Sequence, residues 1–132
     1  MLGFLLEKLY QKDVIDVFRQ EVLQPLSMSN SHFLLQPPYD KVVPTEKLVD
    51  GTILKGLTHD PKARVLAEHA GNAGLFSNMK DLSKFAKMYL NLGVVSDMIY
   101  LQDKTIQELL HDRTPTGKGE RSIGWDLKFS PL

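Results

Sequence analysis

Between Ala70 and Gly93 the chain reads AGNAGLFSNMKDLSKFAKMYLNLG, and this stretch constrains the fold more than any other. It opens on Gly71-Asn72-Ala73-Gly74, a tight loop of small residues whose glycines accept backbone angles closed to branched side chains. A helix start follows. Ser77 or Asn78 can serve as N-cap, and Asp81 falls at the third helical position when Asn78 caps. Leu82, Phe85, Ala86 and Tyr89 then recur at helical spacing and predict one buried stripe, with Lys84 and Lys87 off it. Gly93 supplies the stop.

The rest of the chain reads as helices around a long irregular segment. Leu2, Leu5, Leu6 and Leu9 predict a helix over about residues 1–10. It has no capping residue before it, so a natural N-terminus further upstream is expected. Asp13 is placed to cap a second helix with Val14, Val17, Phe18 and Val22 inward, ended by Pro25. Residues 27–60 hold Pro37, Pro38 and Pro44, with short extended runs at His32–Leu35 and Thr52–Leu54, and read as a functional or packing loop. Asp60-Pro61 is a cap followed by proline at the first helical position, predicting a short helix to about Glu68. Val94–Asp103 reads as a connector, and Thr105 as the cap of a last helix with Ile106, Leu109 and Leu110 inward, ending near His111. Arg113–Arg121 reads as an exposed loop or hairpin tip. Alternation from Ser122 to Phe129 predicts one strand, whose unpaired edge calls for a sheet beyond this chain. The fold class expected is mainly α with minor β.

Charge and cysteine content narrow the function classes. Sixteen basic and sixteen acidic residues cancel, which argues against a broad cationic surface, so no nucleic-acid partner is expected. The absence of cysteine excludes disulfides and thiolate metal sites but leaves the compartment open. The apolar opening MLGFLL is too short for a signal peptide or a membrane span.

Four segments, in order, carry a family resemblance. They are Glu21–Met28, ending Pro25-Leu26-Ser27-Met28; Thr58-His59-Asp60-Pro61 with Ala63; Gly74-Leu75-Phe76-Ser77 with Asp81-Leu82; and Ile123-Gly124-Trp125. Together they resemble the serine β-lactamase-like hydrolases, which include class C β-lactamases, D-alanyl-D-alanine carboxypeptidases and esterases. The resemblance implies a helical subdomain of a β-lactamase/transpeptidase-like fold. In that family a Ser-x-x-Lys nucleophile motif lies well upstream, and a Tyr-x-Ser/Asn motif lies just before the segment matching Met1-Leu2-Gly3. A Lys/His-x-Gly strand follows the segment matching Gly124-Trp125. Residues 1–132 are therefore expected to be a single helical segment of a larger serine hydrolase, without its catalytic residues. The family's matching glycine loop lies near the substrate cleft, which makes Asn72 and Ala73 the substrate-contact candidates. The implied partners are the remainder of the hydrolase chain and a small-molecule or peptidoglycan-like substrate, with self-association of the segment also expected.

Apparent catalytic motifs inside the segment do not survive geometry. Ser77-Asn78-Met79-Lys80 fits Ser-x-x-Lys and Tyr89-Leu90-Asn91 fits Tyr-x-Asn. Along one helix they stand roughly 18 Å apart, whereas a nucleophile and its base need contact within roughly 3 Å. His59-Asp60 could suggest a base with an orienting carboxylate, but adjacent residues rarely point together and Asp60 has a capping role. His32, His59, His69 and His111 lack close metal-ligand spacing, so no metal is expected, and no cofactor either. The loop at Gly71 lacks the Lys-Ser/Thr of a phosphate loop. Trp125 and Tyr100 are expected as core or interface aromatics. An alternative reading is a self-standing helical interaction module, docking through its first helix and last strand.

Overall fold

The computed structural model describes residues 1–66, 71–111 and 121–127. They divide between two units, Met1–Lys84 and Phe85–Leu132.

In the first unit, α1 (Leu2–Tyr10) packs on α2 (Val14–Phe18). The expected leucine stripe is not the buried face of α1. Leu2, Leu5 and Leu9 are exposed and Leu6 is half-buried, while Gly3 is buried. The reason is a close approach that favours a residue without a side chain: a Cβ on Gly3 would stand 3.1 Å from the Gly71 backbone nitrogen. Asp13 caps α2 as expected, its Oδ1 accepting from the Ile15 N–H at 2.8 Å. Val14 and Val17 face inward, and Phe18 and Val22 are half-buried. After Phe18 the helix widens into a π turn, Arg19–Leu23, where the Gln24 N–H donates to the Arg19 carbonyl at 2.9 Å. Leu23, Leu26 and Met28 join Val14, Val17, Leu54 and Ala63 in the core.

The long irregular segment holds a short hairpin, whose second strand falls in the extended run expected at Thr52–Leu54. Strands β1 (Glu46–Lys47) and β2 (Ile53–Leu54) pair antiparallel, with Glu46 opposite Leu54 and Lys47 opposite Ile53. The turn is closed by Asp50, whose Oδ1 accepts from the Thr52 N–H at 2.9 Å, and by Gly51 at φ +88°. Helix α3 (Pro61–Val65) starts at the Asp60 cap with Pro61 at its first position, as expected, but ends at Val65. Glu68, the expected end, lies outside the described residues.

Helix α4 (Met79–Leu90) begins in the first unit and runs into the second. Asn78 is its N-cap, with Oδ1 accepting from the Asp81 N–H at 2.9 Å. The expected stripe is rotated. Leu82 is 47% exposed, while Asp81 and Met88 are buried and Phe85, Ala86 and Tyr89 are half-buried. A buried carboxylate, described below, takes the place assigned to the leucine.

In the second unit, Gly93 ends α4 at φ +89°, and its N–H donates to the Met88 carbonyl at 2.8 Å. A Cβ there would collide with the Leu101 carbonyl oxygen, so the stop is sterically enforced. The expected connector holds a hairpin, β3 (Val94–Val95) with β4 (Met98–Ile99), turned by Ser96 and Asp97 at φ 46° and 65°. Helix α5 (Asp103–Leu110) starts two residues before the expected cap Thr105; Gln102 occupies the cap position without a side-chain bond. Ile106 is fully buried and Leu109 half-buried, but Leu110 is 40% exposed. The expected C-terminal strand is instead a tight turn over its described part. Arg121 pairs with Asp126, the Ser122 N–H donates to the Trp125 carbonyl at 3.0 Å, and Gly124 takes φ +88°. Residues 128–129 of that strand, and residues 113–120 of the preceding loop, lie outside the described residues. Trp125 does pack with other aromatics, 5.2 Å from Tyr89 edge-on and 6.1 Å from Phe85 stacked.

Candidate functional site

The geometry around the glycine loop has two parts, both in the first unit: a buried polar hub at Asp81 and an open groove at Gly71-Asn72. Asp81 sits at the third position of α4, one turn from its cap, with none of its surface exposed. Its Oδ2 accepts from the Asn30 N–H at 2.7 Å and from the Ser31 hydroxyl at 3.1 Å. Its Oδ1 accepts from Lys84 Nζ at 3.0 Å, and Lys84 also donates to the Ser27 carbonyl. Burial by itself raises the carboxyl, but the bonds from Lys84, Asn30 and Ser31 outweigh it and hold Asp81 below the usual carboxylate value of 3.8. Nearby, His32 and Phe76 exchange both backbone hydrogen bonds at 2.9 Å. The segment 27–32 is thereby fastened to the start of α4.

Ser77 belongs to this hub. Its Oγ lies 2.7 Å from the Ser31 Oγ, and among the described residues no hydrogen bond joins it to Lys80. A serine used as an acyl acceptor needs a base within hydrogen-bond reach. Here the neighbouring hydroxyl is itself tied to a carboxylate that lysine and backbone already satisfy. Tyr89, of the Tyr-x-Asn match, lies in the aromatic cluster of the second unit.

The groove has a volume of about 520 Å³ and is lined by Leu2, Gly3 and Phe4 of α1, Lys62 of α3, and Gly71 and Asn72 of the loop. Its volume falls in the range of small-molecule clefts. Gly71 is pressed against α1, since a Cβ there would stand 2.7 Å from the Gly3 nitrogen. Asn72 is exposed, and its Nδ2 donates to Asp60 Oδ2 at 3.3 Å; Ala73 beside it is half-buried. Asp60 Oδ1 accepts from the Ala63 N–H at 2.8 Å, and this bond first, with Asn72 and Lys62 adding to it, lowers the Asp60 carboxyl. The adjacent His59 turns elsewhere, its Nδ1 lying 3.5 Å from Glu46 Oε2. A second cavity of about 400 Å³ lies beside the π turn, lined among others by Arg19, Met28 and His32. Arg19 is engaged there by Asp16 at 2.5 Å. Among the described residues no three His, Asp or Glu side chains gather as metal ligands. The residue that sequence reasoning undervalued is Asp81: an acid at the third helical position signals a cap, but nothing local signals its partners some fifty positions upstream.

Comparison with known proteins gives the family of the chain. The chain belongs to the Beta-lactamase family, whose model matches residues 1–131, and so to the serine β-lactamase-like superfamily. Among solved structures it is similar to the octameric penicillin-binding protein homologue from Pyrococcus abyssi, with a TM-score of 0.55 and 20% identity. That match covers 83% of this chain and 23% of the other, and at this identity it speaks for the fold alone. The chain thus spans about a quarter of that neighbour's length. No curated protein matches the sequence.

Proposed function

We propose that this chain is a mainly helical segment of a serine hydrolase, forming one wall of a substrate cleft and supplying no nucleophile, base or oxyanion donor of its own. The intact protein would attack an amide or ester carbonyl with a serine, form an acyl-enzyme and release it to water. Its substrate classes are β-lactams, D-alanyl peptides or simple esters. The remainder of the hydrolase chain is then its first partner. Within this reading Asn72 and Ala73 are the residues that face substrate.

The observation that carries the reading is the state of Ser77. Family membership calls for a serine activated by lysine, yet the Ser-x-x-Lys match in this chain pairs its hydroxyl with Ser31 and through it with Asp81. The catalytic serine is therefore sought outside these residues. The test is turnover of a chromogenic β-lactam and of a p-nitrophenyl ester by the purified chain. No turnover above the spontaneous rate is expected. Turnover that disappears in Ser77→Ala would overturn the proposal.

A further inference from the structure

We propose that Asp60 is a positioning residue for Asn72, a single carboxylate that sets two parts of the groove lining at once. Its consequence for substrate rests on the hydrolase reading above. Capping α3 requires one acceptor oxygen, and Asp60 Oδ1 provides it to the Ala63 N–H at 2.8 Å. That cap starts the helix that places Lys62 in the groove. The other oxygen is not needed for capping, and it accepts from Asn72 Nδ2 at 3.3 Å. The two partners stand twelve positions apart in the chain, one at the helix start and one in the glycine loop, so the bond ties the loop to the helix start.

The bond also fixes the sense of the Asn72 amide. A carboxylate accepts and never donates when ionised, so only the NH₂ end of the amide can face it. The carbonyl end is left as the acceptor available to a ligand N–H. From the other side the loop backbone lies against α1, where a Cβ on Gly71 would stand only 2.7 Å from the Gly3 nitrogen. Backbone and side chain of the loop are thus located by different contacts. A serine at position 60 would cap α3 equally well and leave the amide unplaced. This distinction makes the proposal testable.

The test follows the Asn72 side-chain NH₂ pair by nitrogen-resolved NMR in the purified chain. In the unaltered protein this pair is expected to shift with a single titration whose midpoint lies below 3.8, the usual carboxylate value. In Asp60→Ser the melting temperature is expected to stay within about 2 °C, because the cap is kept. The NH₂ titration is expected to vanish, and its exchange with solvent to speed up on the order of fivefold, the loss of one ordinary hydrogen bond. Asp60→Asn gives a second readout should the serine variant melt early. Its Oδ1 keeps the cap, but its own NH₂ then meets that of Asn72, so the pair should again lose protection. An NH₂ pair unchanged in both variants overturns the proposal and leaves Asp60 a cap only. Hydrolysis by this chain or its absence does not enter this measurement, so the positioning role and the hydrolase reading fail separately.

Discussion

Helices α3 and α4 begin with the same chemistry and end up with different duties. Each is capped by a side-chain oxygen that accepts from the backbone N–H three residues on, at 2.8 Å from Asp60 and at 2.9 Å from Asn78. At α3 the acid is the cap itself, partly exposed, and its spare oxygen reaches an exposed loop residue. At α4 the cap is an amide, and the acid sits one turn inside, fully buried, with both oxygens spent on Asn30, Ser31 and Lys84. Water can replace the bond of the first acid when it breaks. It does so less readily for the second, whose carboxylate has no exposed surface and is the shared acceptor of three donors. The same residue type at a helix start is therefore a loop adjuster in one place and a structural hub in the other.

The largest effect that could break this contrast is removal of Asp81. Asp81→Ala removes the one acceptor that Lys84, the Asn30 N–H and the Ser31 hydroxyl share, and the melting temperature followed by circular dichroism should fall on the order of 10 °C. Asp81→Asn should fare nearly as badly, because its NH₂ faces groups that are themselves donors. Asp60→Ala should cost about 5 °C, the loss of an exposed cap. Equal losses at the two sites would dissolve the distinction.

Acid should separate the two helices in the same order. The Asp81 carboxyl lies below its ordinary value of 3.8 in the folded chain. The folded state therefore binds its proton less readily than the unfolded state. The stability this confers is complete above that ordinary value and disappears as pH drops through the folded-state pKa. Denaturant midpoints measured from pH 6 down to pH 2 should fall steeply below about pH 4 in the unaltered chain. The part of that slope due to Asp81 should be absent in Asp81→Asn. An unchanged slope in that variant would mean that other carboxylates govern acid unfolding.

What could be read from the sequence was what is settled within a few residues. The Asp13, Asp60-Pro61 and Asn78 starts, and the Gly93 stop, follow from local backbone chemistry and stand in the structure as expected. The two hairpins had local signals as well, Asp50-Gly51 and Ser96-Asp97, but strands of two residues are too short for alternation to reveal them. The faces of α1 and α4 were misread for a different reason. Periodicity assumes that apolar residues point inward, and here a glycine and a carboxylate do, because Gly71 and the 27–31 segment come against them. Those contacts are distant in sequence, and no spacing rule contains them. At the groove, the loop was legible as a loop, while the bond from Asn72 to Asp60 required the two segments to be seen together.

A smaller effect tests the backbone contact that holds the loop. Gly71→Ala would put a Cβ 2.7 Å from the Gly3 nitrogen, whereas Gly3→Ala would meet Gly71 at 3.1 Å. Backbone on both sides cannot rotate away as a side chain can. The first variant is expected to lose about 1–3 kcal/mol in chemical denaturation, and the second less. The reverse order would show that α1 yields more easily than the loop.

The smallest effect supplies the scale for the rest. His59 Nδ1 lies 3.5 Å from Glu46 Oε2, with His59 68% and Glu46 34% exposed. Attraction across so much water is weak, and ordering two mobile side chains offsets most of it. His59→Ala should therefore change stability by no more than about 0.5 kcal/mol. Because His59 directly precedes Asp60, the same variant also asks whether the α3 start depends on its flank. An α3 N-terminus unchanged in amide exchange, with stability unchanged, would assign the cap to Asp60 alone. A loss approaching that of Asp60→Ala would mean that the pair with Glu46 holds the β1–β2 hairpin and the helix start together, and an exposed contact would then rank with a cap.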